Sequence, residues 1–130
     1  LEVAKRIVAS ENSQGKEYGM LSILAQMYSE PEIIKIVPKK CFNPIPKVDS
    51  AIVKFKIRNE PKVEVTKLLK RTLRAIFGAR RKNIKNSLCM AGFTGVIEAL
   101  NKAQISQNER GENLSIFKIQ ELSKILEEYN

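Results

Sequence analysis

The sequence predicts an α+β fragment, in which two helices and a pair of antiparallel strands precede a small all-helical domain. Three observations carry that expectation. Residues 51–58 alternate, with Val53, Phe55 and Ile57 on one face and Lys54, Lys56 and Arg58 on the other, the period of a half-buried antiparallel strand. Beyond Pro61 the period becomes helical, and Val65, Leu68, Leu69, Thr72, Leu73, Ile76 and Phe77 form one apolar stripe. With 130 residues, the chain has material for one modest core, or for a small domain plus part of another.

Taken in order, residues 2–9 place Val3, Ile7 and Val8 at helical spacing, and 21–28 form a second apolar-rich helix after breaks at Gly15 and Gly19. Residues 32–37 read as a strand, followed by a proline bend and the alternating strand. Asn59-Glu60-Pro61 marks a boundary, giving domains 1–60 and 61–130. In the second domain Lys67, Lys70, Arg71 and Arg74 recur at i, i+3, i+4 and i+7, opposite the apolar stripe. Gly78 interrupts that run. The next short helix carries Arg81 and Lys85 four apart above Ile84 and Leu88, and whether the two basic segments make one helix stays open at this point. A third helix is expected over 94–103, after Gly92 and Gly95. A last one is expected over 115–128, capped by Asn113 or Ser115, with Ile116, Ile119, Leu122 and Ile125 or Leu126 inward.

Composition narrows the function. The net charge of +9 calls for an anionic partner, nucleic acid or membrane surface. Its placement is uneven: residues 66–85 hold eight basic side chains and no acidic one, whereas 109–130 hold five acidic against three basic. The first stretch is expected to face phosphates, with salt-dependent binding; the alternative is a solvated lysine-rich face. Histidine is absent, which removes the commonest metal ligand and general base, and Cys41 and Cys89 lie far apart. Neither a metal site nor a disulfide framework is expected, and a reducing cytoplasm is the simplest compartment. No apolar run approaches the length of a membrane span, and no membrane partner is expected.

The most informative stretch is Cys41-Phe42-Asn43-Pro44-Ile45-Pro46-Lys47-Val48-Asp49-Ser50-Ala51-Ile52. Each proline locks its own φ and biases the residue ahead of it toward extended geometry, so Phe42 sits on stiff backbone. A pre-positioned ring suits gripping a flat ligand such as a nucleobase; the bland alternative is a core plug. Asp49, the only aspartate, reads as a turn or cap residue that shapes the loop.

That stretch resembles the Phe-x-Pro-x-Pro-x-Val-x-Ser element of the KsgA-type small-subunit ribosomal RNA adenine N6,N6-dimethyltransferases. Tyr18-Gly19-Met20-Leu21-Ser22 is similar to the same family's Tyr-Gly-x-Leu-Ser segment. Arg80-Arg81-Lys82-Asn83-Ile84-Lys85-Asn86-Ser87-Leu88 is similar to its Arg-Arg-Lys-x-hydrophobic-basic-Asn-Ser-Leu segment. The resemblance implies that residues 1–60 are the terminal helices and strands of a Rossmann-like methyltransferase domain and that 61–130 are its small helical RNA-binding domain. The six glycines include no Gly-x-Gly turn between strand and helix, and the family's Asn-Leu-Pro-Tyr motif is missing. With Leu1 falling inside a helix, the expectation is a C-terminal portion that binds RNA but does not catalyse alone.

By the same resemblance, the intact enzyme uses S-adenosylmethionine on two adjacent adenosines of a small-subunit rRNA hairpin, and its partner is the small ribosomal subunit or its precursor. Phe42 is expected to stack on the target base. Lys47, Lys67, Lys70, Arg71, Arg74, Arg80, Arg81, Lys82, Lys85 and Asn86 are expected to bind RNA, with no cofactor-binding residue in this portion. Two alternatives remain. Large-subunit adenine methyltransferases of the macrolide-resistance type share the proline element but generally lack the Arg-Arg-Lys cluster. A non-catalytic assembly or transcription factor would use the basic helices only to bind.

Overall fold

The structure is a computed structural model and describes residues 1–10, 18–79 and 81–130. The chain divides into two compact units, Leu1–Lys62 and Val63–Asn130. The division falls two residues beyond the expected boundary because the Lys62 N–H donates to the Met27 carbonyl at 2.8 Å, which keeps that segment with the first unit.

Unit 1 contains α1 (Glu2–Val8), α2 (Met20–Tyr28), β1 (Ser29–Val37) and β2 (Ser50–Ile57), with a 3-10 turn at Lys39–Cys41 between the strands. A helix leaves its last carbonyls without partners, and here α2 supplies them. Ser22 Oγ donates to the Arg6 carbonyl, while Gln26 Nε2 donates to Ile7 at 2.9 Å and to Ala9 at 2.6 Å. The Gly19 N–H in turn donates to Ser22 Oγ at 3.1 Å. The Tyr-Gly-x-Leu-Ser segment thereby clamps the end of α1, and Ala4, Ala9, Tyr18, Ile23 and Met27 form the buried centre of the unit.

The strands pair antiparallel, with Ile33 opposite Val53, Pro31 opposite Phe55 and an irregularity between Ile33 and Lys35. β1 starts at Ser29, earlier than the expected position 32, because Pro31 is accommodated within a strand that has a neighbour on one side only. Arg58 fastens the far end. Its Nε donates to the Gln26 and Ser29 carbonyls at 3.1 and 3.2 Å, and its guanidinium lies 3.6 Å from Glu30. Two strands and two short helices cannot cover both sheet faces, and Ile34, Ile36, Ile52, Phe55 and Ile57 stay exposed.

Unit 2 is all helical: α3 (Lys67–Gly78), α4 (Ile84–Met90), α5 (Val96–Lys102) and α6 (Ile116–Glu127), with a 3-10 turn at Gly111–Asn113. Each of three helices begins on a side-chain cap: Thr66 accepts from the Leu69 N–H, Asn83 from Asn86 and Ser115 from Lys118. Ser115 thus serves where Asn113 was the other candidate. Leu69, Leu73, Ile84, Leu88, Leu100, Ile119, Leu122 and Leu126 make the core, all at most 1% exposed. Gly95 opens α5 at φ 67°, and a Cβ there would collide with Tyr129; at Gly111 it would collide with Ile76. Beside Tyr129, Lys102 pairs with Glu128 at 3.0 Å, and hydrogen bonding to Tyr129 and then to Glu128 holds its ammonium above the usual lysine range.

The sequence left open whether α3 and α4 are continuous, and they are not. α3 ends at Gly78 and α4 starts at Ile84. The expectation that Arg81 shares a helix with Lys85 is therefore corrected: the Asn83 cap starts the helix after Arg81 and Lys82, which lie in the preceding turn. Among the described residues no helix is long and apolar enough to cross a membrane.

Candidate nucleic-acid interface

The bend in unit 1 is built from its ends inward. Asp49 Oδ1 accepts the Lys39 N–H at 2.8 Å, which ties the start of the loop to its finish across ten residues. The loop-shaping role expected of Asp49 thus has a concrete partner. Between these ends the 3-10 turn delivers the chain to Phe42 in extended geometry, φ −109° and ψ 149°, and a cis Asn43–Pro44 bond follows. Phe42 is 41% exposed, with Ile45 and Val48 more exposed still. The loop therefore holds an aromatic ring at the surface, and the core-plug alternative for Phe42 is not what the structure shows. Lys47, just past the second proline, is also exposed.

In unit 2 the amphipathic split of α3 is realised. Lys67, Lys70, Arg71 and Arg74 are exposed, while Leu69, Thr72, Leu73 and Ile76 are buried. Arg71 is the one of the four whose head group is already engaged. Its guanidinium carbon lies 4.1 Å from the Phe93 ring centroid, and Nη2 donates to the Ala91 carbonyl at 3.4 Å. Arg81, Lys82 and Asn86 are exposed and Lys85 is half-buried; Arg80 lies outside the described residues. Ser87, whose hydroxyl donates to the Asn83 and Ala79 carbonyls at 3.0 and 3.3 Å, secures the turn that carries Arg81 and Lys82. The motif is thus part display and part scaffold: Asn83, Ile84, Ser87 and Leu88 build the turn, and the cations stand on it.

Three features escaped sequence reasoning. The Asp49 to Lys39 bond links residues too far apart for a local motif, although the Lys39-Lys40 pair directly before the bend signalled more positive charge. The Ser22 and Gln26 clamp had a signal in the motif itself but no visible target. The Arg71 to Phe93 stack joins residues on separate elements. For S-adenosylmethionine, none of the described glycines lies in a Gly-x-Gly turn from strand to helix; β1 runs into the 3-10 turn and β2 toward α3. The described residues do not fit the donor.

The ribosomal RNA adenine dimethylase family model matches residues 1–128. Two curated relatives named ribosomal RNA small subunit methyltransferase A are 43% identical over 129 residues, from Caldanaerobacter subterraneus, and 40% identical over 131 residues, from Fusobacterium nucleatum. They are matched over 96% and 97% of this chain but only 47% and 48% of their own length, so the chain spans about half the length of these relatives. Among solved structures, a dimethyladenosine transferase from Plasmodium falciparum superposes with a TM-score of 0.74 at 21% identity, covering 93% of this chain and 52% of that one. The 23S rRNA methyltransferase ErmE follows with a TM-score of 0.60 at 25% identity, covering 98% of this chain and 52% of its own. Helices, antiparallel strand pair, bend and basic turn all fall within the matched span, and the chain belongs to the ribosomal RNA adenine dimethylase family.

Proposed function

We propose that this chain is the RNA-binding, base-gripping portion of an rRNA adenine N6,N6-dimethyltransferase. The longer protein transfers methyl groups from S-adenosylmethionine to two adjacent adenosines in a hairpin loop of small-subunit rRNA, during ribosome assembly in the cytoplasm. The small-subunit assignment is supported by the names of the curated relatives and by the basic turn at Arg81 and Lys82.

The chemistry explains why a held ring matters. The exocyclic amine of adenine is a poor nucleophile because its lone pair is delocalised into the base. The base must be drawn out of the stack and oriented so that the amine can rehybridise toward the incoming methyl. Phe42 supplies a face against which an extruded base stacks. Lys47 and the cations of unit 2 (Lys67, Lys70, Arg74, Arg80, Arg81, Lys82 and Lys85, with Asn86 and in part Arg71) hold phosphates. Stacking does not discriminate adenine from guanine, so base selectivity lies in the rest of the longer protein.

The observation that carries this reading is the exposed Phe42 ring on a loop closed at both ends. Its test is binding of the chain to an RNA hairpin with two adjacent loop adenosines. Stacking contributes about 1–3 kcal/mol per base, so Phe42→Ala is expected to weaken binding roughly 5- to 150-fold while Phe42→Tyr retains it. Equal affinity for the alanine variant refutes the gripping role.

A further inference from the structure

The turn between α4 and α5 breaks the basic surface of unit 2. From Asn86 to Ile97 the sequence has no charged residue, and Met90, Ala91 and Gly92 are exposed. Arg71 reaches this turn from α3. Its guanidinium carbon stands 4.1 Å from the Phe93 ring centroid, and Nη2 donates to the Ala91 carbonyl at 3.4 Å. Gly92, at φ 89°, places no side chain beside that nitrogen, where a Cβ would stand 3.8 Å away. The Phe93 ring is 5% exposed and has no free face of its own. Arg71 is exposed, and no carboxylate pairs with it among the described residues. The guanidinium is thus held from beneath and along one edge, while the side turned away from Phe93 meets solvent.

We infer that Arg71 and Phe93 form a stacked platform that takes an unpaired nucleobase on the outer face of the guanidinium. A guanidinium is planar and delocalised, and unstacked bases of single-stranded RNA lie on such planes as they do on aromatic rings. A mobile arginine loses rotamer freedom when it offers that plane, and this one is already fixed by the ring and the Ala91 bond. The rim suits a base better than a phosphate. Met90, Ala91 and Gly92 bring apolar surface without charge, whereas the exposed cations Lys67, Lys70 and Arg74 on α3 serve the backbone. The inference rests on the RNA-binding reading above. It adds a second base contact, in unit 2, and gives Arg71 a role apart from the phosphate-holding cations around it.

The test is binding of the whole chain to the two-adenosine hairpin with single-stranded flanks, and to a set in which one unpaired nucleotide at a time is made abasic but keeps its phosphate. Removing the base that lies on Arg71 is expected to weaken binding roughly 3- to 30-fold. Arg71→Lys keeps the charge and loses the plane. It is expected to weaken binding to the intact hairpin by the same factor, to keep the salt slope, and to be indifferent to that abasic position. Phe42→Ala is expected to stay sensitive to it, which separates the two base contacts. Lys70→Gln, which removes a neighbouring charge of α3, is expected to lower the salt slope and to lose affinity equally for the intact hairpin and every abasic one. An Arg71→Lys variant that binds as tightly as the unsubstituted chain, or that every abasic position weakens as it weakens the unsubstituted chain, overturns the platform while leaving RNA binding intact. Failure of the unsubstituted chain to bind the hairpin overturns both.

Discussion

Asp49 does more for the bend than its place beyond the prolines suggests. Proline stiffens Pro44 and Pro46 individually, yet a loop of two stiff residues still swings about its ends unless those ends are fixed. The carboxylate on the Lys39 N–H does the fixing. Asp49→Ala is expected to free that amide and accelerate its hydrogen exchange, with a stability loss of about 1 kcal/mol or less because the bond is exposed, while Asp49→Asn retains an acceptor and the slow exchange. Equal exchange in both variants removes the latch. The residue type was legible in the sequence as a loop-shaping group, but its partner was not, since side-chain bonds across ten residues leave no periodic trace. Arg71 shows the converse: its spacing marked it as one of four equivalent cations, and only the fold reveals Phe93 beneath it.

At the scale of elements, periodicity was a reliable guide wherever burial is one-sided. The apolar stripes of α3 and α6 and the alternation of β2 are direct consequences of facing a core, and they were visible in the sequence. The ends of elements were less so, because a single capping bond decides them. Asn83 moves the start of α4 past Arg81 and Lys82, and Pro31 sits inside β1 against the usual reading of proline. The glycines make this quantitative. Gly95, at positive φ and against Tyr129, tolerates no Cβ, so Gly95→Ala is expected to cost about 2 kcal/mol or more in urea unfolding. Gly78, at the end of α3 with nothing near its α-carbon hydrogens, is the opposite case: Gly78→Ala is expected to be neutral or to stabilise by up to about 1 kcal/mol. A reversed order of the two variants contradicts the caps and contacts described for unit 2.

For the whole molecule, the two units differ in how fully each closes its own core. Val63–Asn130 buries leucines and isoleucines from all four of its helices, whereas Leu1–Lys62 leaves a run of isoleucines and Phe55 on an uncovered sheet. The helical unit cut at Val63 is therefore expected to unfold cooperatively on its own, with a single urea transition. The first unit alone is expected to bind a hydrophobic dye and lack such a transition, as small sheets with an open face do. A dye-binding, non-cooperative helical unit disproves this division of stability. The sequence anticipated the contrast in outline, since its length allows a small domain plus part of another.

Cys41 sits one residue before Phe42 and is solvent-accessible, as is Cys89 in the other unit. With Cys89 replaced by serine, a thiol-reactive fluorophore attaches beside the Phe42 ring. If Phe42 grips a base as proposed, its emission is expected to change, in real time and without any methyl transfer, when a hairpin RNA is added.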